Sequence, residues 1–266
     1  MRSGRVIIGI SCIITSSLLY AGSLGSIPAW SAPIRPVVSF FTGVVGINAN
    51  NQSLAYASSN DNLYVYHHQG GSNTNAFVGA FLGIETRLPQ PKFFIQTGVE
   101  YSYFGNTPFK GVHSVGVEPA TSTRYNYHYY VQTQQVLAVA KLFTTATLPV
   151  ANHPLLYPYV SVGLGAAFND AGQYSATTAE TGSINLTPMF KSHTQTDFSY
   201  SVGLGVETNV NPHARLGLGY RFASFGNASL GSGQVALNHY TFPVPFTLNM
   251  PNTYANQFVM QISYLA

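Results

Sequence analysis

The sequence predicts an all-β fold: an eight-stranded antiparallel up-and-down transmembrane β-barrel with four long outer loops. Three observations predict it. Only 7% of the 266 residues are charged, against about 25% in a typical soluble domain. Apolar residues alternate with polar or small ones along most of the chain, and short connections alternate with long ones. Because 45% of the residues are hydrophobic and 14% aromatic, the composition also excludes a disordered chain.

The amino-terminal segment has the pattern of a secretory signal peptide. A short basic start precedes an apolar stretch at 6–24, and small residues such as Ala29 and Ser31 follow it. We therefore predict a signal peptide at 1–31 and an outer-membrane β-barrel domain at 32–266. Polar residues interrupt the apolar stretch, so an anchor helix is the less favoured alternative. Removal of the peptide would take away the only cysteine and leave a nearly neutral chain.

Strict alternation begins at 76–88, where every second residue from Ala76 to Leu88 is apolar or Thr and the other positions carry glycines, charges and two Phe. Successive side chains of a strand point to opposite faces, so such a strand has one apolar face. The same pattern predicts further strands, and the full set at this level of regularity is 76–88, 92–103, 158–169, 197–208, 214–222 and 257–264.

Two less regular strands are predicted at 37–48 and 125–143. In the second, one register would form the apolar, outward face, and its members are Tyr127, Tyr129, Val131, Leu137 and Val139. Lys141 falls in the same register. Its position predicts either snorkelling of the ammonium group to the interface or a bulge that changes the register.

The connections between these eight strands alternate in length. The short ones are 89–91, 146–156 and 211–213, and the long ones lie near 49–74, 105–124, 170–195 and 226–253. Long connections without structure are uncommon in compact soluble domains. They are normal at the outer end of an outer-membrane barrel, whose inner turns are short.

The two registers predict which residues face lipid and which face the lumen. The lipid-facing residues are predicted to be Leu82, Ile84, Val99, Val162, Leu164, Val202, Leu204, Leu216, Leu218, Phe258, Met260 and Ile262. The lumen is predicted to hold an ion-pair cluster of Glu85, Arg87, Lys92, Glu100, Asp197, Glu207, Arg215 and Arg221. Eight strands enclose a space that side chains can fill, so these four acids and four bases, with glycines between them, predict a plugged barrel.

Short repeated strings carry a family resemblance. SVGLG occurs at 161–165 and at 201–205, LGLGYRF occurs at 216–222, and PYV occurs at 158–160. These strings resemble the small outer-membrane β-barrel family that includes the transmembrane domain of outer membrane protein A and the opacity-type surface proteins. The resemblance implies insertion by the barrel assembly machinery with both termini in the periplasm, and it implies no substrate. Members usually end on an aromatic residue, whereas Leu265 and Ala266 follow Tyr264 here.

No catalytic motif is present, and neither a cofactor nor a metal site is expected. The best metal candidate is His67 with His68, but adjacent strand residues point to opposite sides, so a solvated loop tip is favoured. His113-Ser114 and His193 fall in predicted outer loops, where some small barrels carry lipid-A-modifying residues, yet their flanking sequence does not resemble those enzymes. Eight tyrosines are predicted to form an aromatic girdle rather than a carbohydrate platform: Tyr64, Tyr66, Tyr101, Tyr103, Tyr125, Tyr127, Tyr129 and Tyr130.

Two function classes follow for a protein of the bacterial outer membrane. The first is a non-enzymatic structural or surface-interaction (adhesion-like) protein whose outer loops contact a host or surface ligand. The second is a narrow, porin-like passive channel, which the small width of eight strands disfavours. The expected partners are outer-membrane lipid and lipopolysaccharide and the barrel assembly machinery. Nucleic acid is not expected, because the chain lacks a basic excess.

Overall fold

The computed structural model contains thirteen strands in the part of the chain that it describes. It describes residues 34–49, 52–57, 63–69, 71–90, 92–115, 122–146, 156–180, 188–237, 240–244 and 247–266, so the predicted signal peptide lies outside the described residues. The strands are β1 (Ile34–Ala49), β2 (Gln52–Ala57), β3 (Leu63–His68), β4 (Gly71–Arg87), β5 (Phe93–Val115), β6 (Thr123–Thr144), β7 (Leu156–Glu180), β8 (Pro188–Phe190), β9 (His193–Asn211), β10 (Ala214–Ser229), β11 (Gly233–Leu237), β12 (Tyr240–Val244) and β13 (Asn249–Leu265). The described part of the chain holds no helix long and apolar enough to cross a membrane.

Eight of the strands close into an antiparallel ring in the order β1-β4-β5-β6-β7-β9-β10-β13. The ring closes where β13 pairs with β1, from Val37 opposite Leu265 to Asn48 opposite Tyr254. Each neighbour in the ring is also the next long strand along the chain. The predicted eight-stranded up-and-down barrel is therefore confirmed.

The long outer connections are much more regular than predicted. β5 continues to Val115 and β6 begins at Thr123, so most of the predicted loop at 105–124 is strand. Gly105 and Asn106 resemble turn residues in the sequence, but the structure places them in a bulge, where the register against β6 shifts between Phe104 and Thr107. Strands rather than four irregular loops therefore occupy much of this end.

β8, β11 and β12 form a separate three-stranded sheet. Other strand segments beyond the ring form one sheet, which we call the outer extension. It consists of β2, β3, residues 107–115 of β5, residues 123–131 of β6 and residues 172–180 of β7. β3 pairs with the end of β5 that β4 leaves free, from Tyr64 opposite Val115 to His68 opposite Gly111. The extension therefore continues the barrel wall away from the short turns.

The predicted faces of β6 are wrong. Its odd-numbered residues, including Lys141, are buried in the interior, whereas the even-numbered residues face outward. The residues predicted outward but found inside are Tyr127, Tyr129, Val131, Leu137 and Val139. Both registers of this strand are rich in apolar residues near Val136 and Leu142, so the alternation alone could not decide between them. Neither snorkelling nor a bulge is needed for Lys141, because the register against β5 is continuous from Thr133 to Thr144.

The closed ring predicts that the folded protein resists detergent until it is heated. Within the ring, each strand is paired with a neighbour on both sides, so the ring itself has no edge at which unfolding could begin. We expect an unboiled sample in a mild detergent gel to migrate differently from a boiled one. Identical migration of the two samples would contradict the closed ring.

Candidate functional site

The lumen contains a buried ion pair near the short-turn end. Arg215 on β10 donates from Nη1 and Nη2 to the two carboxylate oxygens of Glu85 on β4, at 2.5 and 3.1 Å. Gln96 donates to the same carboxylate at 2.9 Å. The guanidinium carbon lies 4.9 Å from the ring centre of Phe94 and 4.8 Å from that of Tyr157. This bidentate, ring-stacked geometry is one that arginine provides and lysine cannot.

A second ion pair lies farther along the lumen. The Nη1 of Arg221 on β10 donates to the carboxylate of Glu100 on β5, and both side chains are buried. Arg221 also donates from Nε to the side-chain oxygen of Gln257 at 2.7 Å, and Ser102 donates to the Glu100 carboxylate at 3.3 Å. Both charges are thus compensated inside the barrel, as buried charges must be.

The third charged contact runs through an amide. The Nζ of Lys141 donates to the Oε1 of Gln261 at 2.8 Å, and the Nε2 of Gln261 donates to Glu207 at 3.0 Å. The ammonium group also lies 5.1 Å from the ring centre of Phe81, within the range of a cation–π contact. Lys141 therefore belongs to the lumen cluster, although the sequence interpretation placed it on the outer face.

Three of the eight residues predicted for the cluster lie elsewhere. Arg87 and Lys92 are exposed at the short-turn end. Asp197 is half-buried and accepts a hydrogen bond from the backbone N–H of Asn227 at 2.8 Å, next to Gly226, whose φ is +71°. It supports the bulge in β10 rather than an ion pair. The structure brings together Glu85, Glu100, Glu207, Arg215 and Arg221, and with Lys141 the lumen has three acids and three bases.

A signal for Lys141 was present in its own strand. Thr133 and Gln135 lie in the same register as Lys141, and both are buried in the interior. Three polar residues in one register of a barrel strand favour the lumen for that register. The apolar Leu137 and Val139 lie in the same register between Gln135 and Lys141, and they led to the prediction that this register faces lipid.

The remaining lumen space is filled by aromatic side chains and small residues. Phe81 is fully buried, and the Tyr159 phenol lies 2.6 Å from where a Cβ would stand at Gly205 and at Gly219. Such close packing requires glycine at these two positions. Beside Arg221 the packing leaves a void of about 20 Å³, which has room for about one water molecule.

The outer wall is apolar where it surrounds the lumen cluster. All twelve residues predicted to face lipid are exposed, from 42% for Ile84 to 67% for Phe258. Such a band matches the hydrocarbon of a membrane. Tyr101 and Tyr103 are exposed on this wall, together with Phe168, Phe198 and Tyr220.

The interior of the outer extension holds most of the tyrosines that were predicted for the girdle. Tyr66, Tyr125, Tyr127 and Tyr129 are buried, Tyr130 is half-buried, and the side chain of Tyr64 lies outside the described residues. The prediction of an outer girdle is wrong for Tyr66, Tyr125, Tyr127 and Tyr129. Tyr130 lies in the outward register of β6, and Tyr101 and Tyr103 are exposed. A tyrosine pattern near strand ends does not distinguish a membrane interface from a sheet that continues beyond it.

The histidines singled out in the sequence lie in different environments. His113 is fully buried within β5, and Ser114, its neighbour, faces the other side of the strand. His67 and His193 are exposed, and His68 is half-buried. Among the residues that the structure describes, no three His, Cys, Asp or Glu side chains are grouped to hold a metal ion.

Comparison with known proteins identifies the family. The sequence profile described as "Outer membrane protein beta-barrel domain" matches residues 17–244. The chain belongs to this outer-membrane β-barrel family. The family and the fold place the barrel in the bacterial outer membrane, as the sequence predicted. No curated protein sequence matches the chain.

Solved structures similar to the barrel include three outer-membrane proteins. Neisserial surface protein A has 12% identity and a TM-score of 0.37, with 85% of this chain and 96% of that chain covered. OprG from Pseudomonas aeruginosa has 12% identity and a TM-score of 0.33, with coverage of 86% and 95%. Ail, the attachment invasion locus protein of Yersinia pestis, has 12% identity and a TM-score of 0.31, with coverage of 87% and 99%.

Proposed function

We propose that this barrel is a non-enzymatic surface-interaction protein that binds a partner through its outer extension. The observation that carries the proposal is the ordered sheet of β2, β3 and the ends of β5, β6 and β7, which continues the wall beyond the lumen cluster. A rigid surface loses less conformational entropy on binding than an irregular loop does.

The lumen supports a binding role over transport. Glu85, Glu100 and Glu207 are buried against basic or amide partners, and aromatic rings pack between them. An open pore would need a continuous water path through this region. The narrow width of an eight-stranded barrel further favours a filled lumen.

The free edge of the extension offers a mode of binding. Among the described strands, β2 pairs with β3 alone, so its other edge presents unpaired backbone N–H and C=O groups. Such an edge can accept an extended segment of a partner as an added strand. Lipid and lipopolysaccharide around the apolar wall, and the assembly machinery during insertion, complete the proposed set of partners.

Shortening the extension tests the proposal. In one variant, residues 50–70 are deleted and residues 107–131 are replaced by an Asn-Gly turn. This variant keeps the pairing of β5 with β4 and β6 from Phe104 to the short-turn end of the ring. Displayed on bacterial cells, the unaltered protein should promote attachment to epithelial monolayers or to plates coated with matrix protein. We expect the shortened variant to lose this attachment while it still inserts and shows the heat-dependent gel shift.

The control alters the opposite end of the barrel. A variant that lacks 147–153, between β6 and β7, should attach like the unaltered protein. Conductance of purified, unaltered monomers is measured in planar bilayers alongside. Attachment that survives loss of the extension would contradict the proposal. Steady ion conductance that Arg221→Ala alters would contradict it as well and would support a channel.

A further inference from the structure

Among the residues that the structure describes, two histidines inside the outer extension have no hydrogen-bond partner on buried ring nitrogens. His113 on β5 is 0% exposed, and neither Nδ1 nor Nε2 has a partner. The buried Nε2 of His68 on β3 has none either. Most buried polar atoms in native proteins are hydrogen-bonded, and each exception needs a physical reason. We call His68 and His113 the histidine pair.

The ring of His113 is stacked between two strands. Its centre lies 4.8 Å from that of Tyr66 on β3 and 4.6 Å from that of Tyr125 on β6. Tyr127 on β6 lies 6.3 Å away. The titratable groups that face His113 from β3 and β6 are therefore phenols. At Tyr127, burial raises the pKa, so that phenol stays neutral and cannot stabilise an imidazolium by charge.

The ring of His68 has a similar environment. It packs 5.8 Å from the ring centre of Phe109 on β5 and borders a cavity of about 40 Å³ that Tyr129 and Met250 also line. Burial raises the pKa of Tyr129 as well. The cavity has room for about one water molecule.

We propose that the histidine pair is an acid-sensitive switch that releases β3 from β5 and opens the outer extension while the barrel ring stays closed. In the described residues, β3 is held to β5 by five residue pairs and by a hydrogen bond from the backbone N–H of Gln69 to the carbonyl of Lys110 at 3.1 Å, and both histidines lie at that seam. A protonated His113 ring requires water or an anion to stabilise its charge, and the groups packed against that ring in the closed seam are aromatic rings and neutral phenols. The ring is held separately by the paired strands and by the lumen contacts of Arg215 and Arg221.

The sign of the effect follows from linkage. Burial lowers the pKa of His113 from 6.5 to about 4 and lowers that of His68 as well. Above about pH 6.5 the two imidazoles are neutral in both the closed and the open seam, and the closed seam has its full stability. As the pH falls toward 4, only the open state takes up protons, so opening becomes easier. For His113 alone, the opening equilibrium constant should rise about 30-fold between pH 7.5 and pH 5.

Hydrogen exchange on the full barrel in lipid nanodiscs measures this opening. Exchange rates at pH 7.5 and pH 5 are corrected for the intrinsic effect of pH and compared for peptides from β3 and from 107–115. Peptides from β13 report on the ring. We expect about 30-fold or greater acceleration at the seam at pH 5 and no change in β13.

Phenylalanine variants identify the groups responsible. His113→Phe keeps the stacked ring, loses no hydrogen bond and should remove most of the acceleration, and the His68→Phe/His113→Phe double variant should remove all of it. His67→Phe, at the exposed neighbour on β3, should keep the full response. An unchanged response in the double variant, equal acceleration in β13, or no acceleration in the unaltered protein would overturn the proposal.

Discussion

Replacing Glu100 by Ala is expected to destabilise the barrel by about 3–5 kcal/mol, the usual cost of leaving a buried charge without its partner. Arg221 cannot lose its proton. In the variant it would keep its hydrogen bond to the amide oxygen of Gln257 but would have lost the carboxylate that neutralises its charge. The free energy of unfolding, measured by urea titration in detergent micelles with the heat-dependent gel shift as readout, tests this expectation.

Two variants bracket that measurement. Asp170 is an exposed carboxylate whose contact is a hydrogen bond from Thr194 at 3.3 Å, so Asp170→Ala should change stability by no more than about 0.5 kcal/mol. Replacing both Glu100 and Arg221 by Leu removes the charge problem and should cost much less than Glu100→Ala alone. Equal losses for Glu100→Ala and Asp170→Ala would mean that the lumen charges are hydrated.

Replacing Leu204 by Arg should impair insertion into the membrane much more than the same replacement at Val210. Leu204 is 61% exposed in the middle of β9, and an arginine at mid-depth on the lipid face costs about 2–4 kcal/mol. Val210 is equally exposed but lies beside the turn at 212–213. The same substitution there should cost about 0–1 kcal/mol. Folded yield in vesicles, followed by gel shift, measures both.

Ser201 is an unsuitable control for this series, although its register faces the lumen. It is 4% exposed, and its hydroxyl oxygen lies 2.7 Å from where a Cβ would stand at Gly163. Arginine at Ser201 would overpack the interior and destabilise the barrel for a different reason. Similar yields for Leu204→Arg and Val210→Arg would show that β9 does not cross the membrane at this depth.

Sequence alternation predicted the ring well, because most ring strands have one register of large apolar residues and one of glycines and polar residues. β9 and β10 are clear cases, and their inward Glu207, Arg215 and Arg221 could be assigned before the structure. β6 shows the limit. Its inward register is aromatic and aliphatic around Lys141, since the lumen there is packed rather than wet, so hydrophobicity no longer distinguished lumen from lipid.

The outer extension could not be predicted for a related reason. Residues 105–108 are Gly-Asn-Thr-Pro, which is a turn signal in isolation. In the folded chain, pairing of residues 107–115 with β6, and of residues 111–115 with β3, offsets that local preference. Such pairing partners are distant in sequence, so the buried stacking of His113 on Tyr66 had no local signal either. The charged cluster differs from the predicted one because Arg87 and Lys92 lie at the short-turn end, Asp197 supports the bulge in β10 and Lys141 lies in the inward register of β6.

The pairing of β1 with β13 has a consequence for how the chain acquires its structure. These strands are separated by nearly the whole barrel domain, so the contact that completes the cylinder has the largest sequence separation in the fold. Contacts of this kind form slowly. A polypeptide that stops before Asn249 would leave β1 and β10 with unsatisfied edges in contact with lipid, which hydrocarbon does not tolerate. Biogenesis is therefore all-or-none: the final strand must arrive before any part of the cylinder is stable in the bilayer.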